Sequence, residues 1–330
     1  MSNIVSHPSQ IIVFAVAVFI MLYVDLKVVN QKSQLVSNRS AAIWSLVWIS
    51  VSMFFSAFIY FTTRDTYGID KFAQFQSAYW IEKALSVDNL FVFILVFNFF
   101  NVPREYHHRV LFWGIIGALV MRAIFIFSGV GIINLTYLPD FYLSGRPIKI
   151  NAVLTLFGAF LIFAGIKSWF VNKDDDSEKD FSKSPGAKVV YRFFKVSKEF
   201  DGDKFFTVEN GVRVATPLLV VVAVIEFTDL LFAVDSIPAI FSIAPDDSFI
   251  LYTSNIFAIL GLRSLYFFLA NFIHMFSKLK YGLAVVLAFI GIKMVVSPFY
   301  HISTILSLGI VAGVLLSSLA ASIFFPVGNK

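Results

Sequence analysis

EKALSVDNLFVF at residues 82–93 and EFTDLLFAVDSIPAIF at residues 226–241 set acids inside stretches that are otherwise apolar. Each carries a Val-Asp pair, at Asp88 and Asp235, and a second acid six residues upstream, Glu82 and Asp229. The register continues downstream. LVMRAIFIF (119–127) aligns with LGLRSLYFF (260–268) through Arg122 and Arg263, and AGIKSWF (164–170) aligns with IGIKMVV (290–296) through Lys167 and Lys293. Matches in one order read as a repeated unit of three spans. A unit with an odd number of spans enters from the opposite side when repeated, so the repeat is inverted, as in secondary transporters.

Composition names the solvent. Of 330 residues, 58% are hydrophobic and only 14% charged, with a mean hydropathy of +0.81; a soluble domain carries about a quarter charged residues. The expected fold is an all-α polytopic membrane protein, and its first partner is the lipid bilayer. A net charge of +5 fits basic loops at a membrane better than a nucleic-acid surface, and no nucleic-acid partner is expected. The chain has no cysteine, so it carries no thiolate ligand and no thiol redox couple. Any metal must be held by oxygen or His. MSNIVSHPSQ lacks a basic n-region, so the first span is expected to stay in place.

Apolar runs of about 20 residues, enough to cross a hydrocarbon core, lie near 10–28, 41–61, 77–100, 109–134, 150–171, 215–241, 250–273, 281–297 and 302–325, about nine spans. The expected organisation is two N-terminal helices in 1–76, a first three-helix repeat in 77–171, an extramembrane loop in 172–214, the second repeat in 215–297 and a last helix in 298–330. Lys and Arg gather in the odd-numbered connections, among them Lys32, Arg39, Arg104, Arg109, Lys278 and Lys280. The positive-inside rule then puts the N-terminus outside and the C-terminus in the cytoplasm. In the long loop, NKDDDSEKDFSKSPG has linker composition, AKVVYRFFKVSKEF could lie on the membrane surface, and Asn210-Gly211 between KFFTV and VRVA signals a hairpin.

A buried ionisable side chain costs about 2.5–3.5 kcal/mol even on lenient insertion scales, so a cluster of them implies partners and a function. Glu82, Asp88, Asn89, Glu226, Asp229, Asp235 and Ser236 form an oxygen-rich set suited to Mg²⁺, Ca²⁺ or Mn²⁺. Six residues on a regular helix put the two acids about 120° apart, so Glu82, Ser86 and Asn89 share a face that Asp88 does not. Joint coordination needs unwinding, for which Pro238 is the candidate helix break, or ligands from both repeats. The competing reading pairs these acids with Lys83, Arg122 and Arg263, whose charges repel a divalent ion and fit structural or gating roles. Lys167 and Lys293 fall near helix ends and are expected to snorkel. His107 and His108 read as solvated residues of a basic turn. No nucleophile triad, P-loop or dinucleotide fingerprint is present, so neither an enzyme, an ATP-driven pump nor a permanently bound cofactor is expected.

These paired motifs, with the preceding GVRVATP (211–217), resemble those of the TerC family in its longer, Alx-like form, over about residues 77–325. The resemblance implies a bacterial inner-membrane protein of metal-ion homeostasis, with Mn²⁺ as the exported substrate and an association with tellurium resistance. It assigns function to Glu82, Asp88 and Asn89 in the first motif, and to Glu226, Asp229, Asp235 and Ser236 in the second. The alternative from another class is a membrane scaffold that aids assembly or metalation of other proteins through the 172–214 loop.

Overall fold

The computed structural model describes residues 8–29, 38–65, 67–138, 141–143, 146–170, 180–272, 278–300 and 302–324. The side chains of Asp88, Val234 and Asp235 lie outside that description, although their backbones belong to helices. Eleven α-helices are present among the described residues: α1 (Pro8–Val29), α2 (Asn38–Thr63), α3 (Gly68–Phe99), α4 (Arg104–Leu135), α5 (Ala152–Phe170), α6 (Pro185–Phe193), α7 (Pro217–Phe241), α8 (Ser248–Leu260), α9 (Leu262–Phe272), α10 (Leu279–Val296) and α11 (Thr304–Phe324). The chain is an all-α polytopic membrane protein.

Six helices, α2, α4, α5, α7, α10 and α11, are long and apolar enough to cross a membrane, and α8 with α9 adds a seventh span bent by 41°. The expected count of nine also includes α1, whose apolar part Pro8–Val24 is short, and α3. The latter has the length, 32 residues, but its window is diluted by Glu82, Lys83 and Asp88. It also starts well before residue 77. A second, unforeseen hairpin joins α4 to α5, with Phe141–Leu143 (β1) antiparallel to Arg146–Ile148 (β2).

The interior is built by cross-packing. Helix α3 lies on α8, α7 lies on α4, α3 meets α7, and α5 runs against α10. Glycines set the closeness of that last pair. A Cβ on Gly158 would stand 2.9 Å from the Gly291 carbonyl oxygen, one on Gly291 2.6 Å from the Gly158 oxygen, and one on Gly165 2.7 Å from the Ala284 oxygen. Backbone therefore touches backbone at both ends of the crossing, the small-residue packing that membrane helices use. Helices α1, α2 and α11 clad this interior, with α2 and α11 on α3.

Residues 180–216 form a unit at one end of the bundle. Ser184 caps α6, its Oγ accepting from the Ala187 amide at 3.3 Å, and Pro185 opens the helix. Strands Phe206–Glu209 (β3) and Val212–Ala215 (β4) pair antiparallel around Asn210 and Gly211, whose φ of 52° and 80° suit a tight hairpin turn. Gly186 seats the unit, since a Cβ there would stand 2.2 Å from the Ala223 carbonyl oxygen of α7. Phe181 packs on Phe99 at the end of α3, and Arg109 of α4 pairs with Asp203. At about 48 Å for 32 residues, α4 outreaches a ~30 Å hydrocarbon core and supplies this platform.

Candidate functional site

The acids of the first motif sit on α3 where it meets α4 and α8. Glu82 is fully buried. Its Oε1 forms an ion pair with Arg122 Nη1 at 2.5 Å and accepts from Ser86 Oγ at 3.3 Å, while Oε2 accepts from Asn255 Nδ2 at 3.0 Å. Arg122 Nη1 in turn donates to Asn255 Oδ1 at 2.9 Å. The three side chains close a ring that joins α3, α4 and α8. Two charges held this way satisfy each other only because the geometry and the added hydrogen bonds are good.

Asp229 of α7 approaches the same guanidinium from the other side. Its Oδ1 lies 3.7 Å from Arg122 Nη2, an ion pair beyond hydrogen-bond reach. Asn89 of α3 reaches across to Asp229. Arg122 Nε and Nη2 and Ser236 Oγ are buried without a hydrogen-bond partner among the described residues. The junction is thus tight on the Glu82 side and under-satisfied on the Asp229 side.

Glu226 is half-buried, one turn from Asp229, and its carboxylate lies flat on Gly117 of α4. A Cβ at Gly117 would fall 2.0 Å from both oxygens. At nine residues from Pro217, Glu226 stands about 14 Å along α7 from its start. Gly186, at the docking point of the 180–216 unit, contacts Ala223 and Phe227, which flank it.

Several sequence expectations land elsewhere. Lys83 is buried, and its Nζ donates to the Ala258 carbonyl at 3.1 Å. That carbonyl belongs to the last turn of α8, where the break before α9 removes its helical partner. Lys83 therefore caps a bend, and Gly261 at the break leaves room for it. Arg263 lies beyond that bend, in the electrostatic neighbourhood of His108 rather than in the ring around Arg122. The expected unwinding at Pro238 is corrected, because α7 is continuous from Pro217 to Phe241. A proline so near the helix end removes one amide donor without breaking the turns before it. His107 also departs from the solvated reading. It is buried, stacks on Phe97 with ring centroids 4.1 Å apart, donates from Nε2 to the Val102 carbonyl at 2.9 Å, and accepts at Nδ1 from the Tyr266 hydroxyl at 2.8 Å.

Among the described residues no three His, Asp or Glu side chains gather as a metal cage. The side chains of Asp88 and Asp235, the aligned acids, are not among those described.

The family model described as "Integral membrane protein TerC family" matches residues 67–327. The chain belongs to the TerC family. Its relatives include Alx of Escherichia coli strain K12, described provisionally as a membrane-bound redox modulator, at 42% identity over 307 residues, 92% of this chain and 90% of the relative. The uncharacterized membrane protein STKORF319 of Myxococcus xanthus is 42% identical over 313 residues, 94% of this chain and 90% of the relative. An uncharacterized membrane protein of Rickettsia bellii is 38% identical over 312 residues, 94% and 96% of the two chains. No solved structure matches. The TerC match begins at Tyr67, and so takes in α3 from its first turn.

Two residues of this TerC site escaped sequence reading. In the expected alignment Asn255 falls opposite Gly114, which offers no matching polar residue to flag it. The signal was its polarity inside FILYTSNIFAIL, where a membrane-buried amide needs a hydrogen-bond partner. Gly117 left no trace, since a glycine in a membrane helix is common.

Proposed function

We infer that this TerC protein exports a divalent cation, with Mn²⁺ as its substrate, by movement of two inverted three-helix units against each other. The observation that carries the reading is the cross-packing: α3, α4 and α5 each lie against a member of the set α7, α8–α9 and α10. The contacts Gly158 to Gly291 and Gly165 to Ala284 also exchange when Gly158 is matched with Ala284 and Gly165 with Gly291. The matching is the one the Lys167 and Lys293 alignment demands. A pseudo-two-fold through α3 and α7 would bring the Asp88 and Asp235 segments together at the bundle centre, where such transporters bind their ions.

The ion pair with Arg122 withdraws Glu82 from the ligand set and gives it a framing role. Asp88, Asn89, Asp235 and Ser236 remain as hard oxygen donors for Mn²⁺, with Glu226 at the approach from the 180–216 side. In this reading that side is the cytoplasm, and the membrane is the bacterial inner membrane. A redox effect of the kind in the name of Alx would follow indirectly from manganese supply, because the chain has no thiol.

The test is the manganese content of cells grown in excess Mn²⁺. Wild-type protein is expected to lower it, and Asp88→Asn and Asp235→Asn each to abolish that lowering. Equal lowering by both variants overturns the embedded site. Gly117→Ala, whose methyl group must push the Glu226 carboxylate aside, is expected to slow efflux severalfold at a stability cost of about 1–3 kcal/mol. A second reading, a scaffold for protein metalation, draws on the 180–216 unit seated on α7; it predicts loss of function on unseating that unit with Mn²⁺ efflux intact.

A further inference from the structure

At the end of the bundle opposite the 180–216 unit, the start of α3, the ends of α7 and α10 and the start of α11 enclose a cavity of about 590 Å³. That size suits a small organic ligand. Its place in the fold puts it at headgroup depth, since helix ends meet there and the exposed rings of Tyr67 and Phe299 lie close by in sequence.

The polar lining is asymmetric. Lys293 of α10 is 8% exposed and lines the cavity. No hydrogen bond or ion pair engages it among the described residues, unlike Glu82, Lys83, Arg122 and Asp229 in the interior. Lys71, on the same wall, is already paired with Asp247. Lys293 is thus a nearly buried cation whose counter-charge has room to arrive from outside. Its counterpart in the repeat, Lys167, is exposed, so repeat membership does not account for the burial.

Acceptors predominate among the other groups, beside the Gln74 amide N–H and the hydroxyls of Ser303 and Thr304. Gln74 Oε1 is buried without a partner. The hydroxyls of Ser242 and Ser297 donate to the Ala239 and Met294 carbonyls, at 2.7 and 2.9 Å, so each offers the cavity only lone pairs. Asp70 stands one helical turn before Gln74, on the same face of α3 and at the exposed lip. One unpaired cation and several unfilled acceptors in one space complement a ligand that bears an anion and, a few atoms away, N–H donors.

We propose that this cavity binds a zwitterionic phosphate ester with a primary ammonium, the phosphate on Lys293 and the ammonium on Gln74 and Asp70. Two sources share that chemistry: a phosphatidylethanolamine headgroup and free phosphoethanolamine. The site is separate from the Arg122 junction and does not depend on the Mn²⁺ reading.

The experiment uses the full chain in nanodiscs and native mass spectrometry of the lipid it retains. Wild-type protein is expected to keep phosphatidylethanolamine about tenfold over phosphatidylcholine, whose quaternary ammonium has no N–H to donate, and over phosphatidylglycerol, which has no ammonium. Lys293→Gln and Gln74→Leu should each remove the preference, Lys293→Arg should keep it, and Lys167→Gln should leave it unchanged. Melting curves show that the variants are folded, and the wild-type headgroup series stands even if one is not. Displacement of the lipid by soluble phosphoethanolamine, or its binding in phosphatidylcholine discs, assigns the site to the free solute and upholds the chemistry. Retention of all three lipids alike, or a preference that survives in Lys293→Gln, overturns it.

Discussion

Arg122→Met is expected to destabilise the protein by about 3–5 kcal/mol, the loss that follows when one partner of a buried ion pair is removed and the other stays charged. Three facts set the size. Both Arg122 and Glu82 are buried to within 1% exposure, the guanidinium serves a second carboxylate at Asp229, and Asn255 loses the acceptor role that positions it toward Glu82. The measurement is thermal or denaturant unfolding of the purified chain in detergent. The double variant Arg122→Met with Glu82→Leu should recover much of the loss, because a packed apolar pair often replaces a buried ion pair without penalty. A single variant that melts with the wild type would show that the ring does not hold α3, α4 and α8 together.

The second large effect is expected at Gly291. Its substitution by Ala drives a methyl group to 2.6 Å from the Gly158 oxygen and 2.7 Å from the Ile162 nitrogen. Both are backbone atoms of a helix, so neither can rotate away, and α5 and α10 must separate. Overpacking of this kind costs about 1–3 kcal/mol, and Gly291→Leu should cost more. Gly158→Ala strikes the same contact, so the double variant is expected to lose less than the sum of the two. A Cβ on Gly309 in α11 would meet nothing within 4 Å, and Gly309→Ala should be neutral or gain up to about 1 kcal/mol of helix propensity. Unfolding curves of these variants and the wild type check the order.

The acidic pairs and the aligned Arg122 and Arg263 were legible because charge is rare in apolar sequence and so stands out wherever it recurs. The Asn210-Gly211 pair likewise marked the hairpin of β3 and β4. What stayed hidden was partner choice. Arg122 and Arg263 align in sequence, yet one closes a ring with Glu82 and the other stands near His108 beyond the bend, because the helix before Arg263 ends at Leu260 whereas α4 is continuous through Arg122. Lys83 looked like a counter-charge and proved to be a cap for that same break. His107 looked solvated because its neighbours Arg104 and Arg109 are charged, whereas the ring is turned inward onto Phe97 and Tyr266. Helical turns separate neighbours by about 100°, so adjacency in sequence says little about shared surroundings.

Helix α3 obtains its satisfaction late. Its Glu82 can meet Arg122 on α4 early, but its second oxygen finds Asn255 only 173 positions onward, and its Lys83 finds Ala258 175 onward. At about 5–20 residues per second on a ribosome, that delay is on the order of ten seconds or more. Over this time the least apolar long helix of the bundle has no complete set of partners in the bilayer. The buried contacts of the first half are therefore completed only by residues of the second.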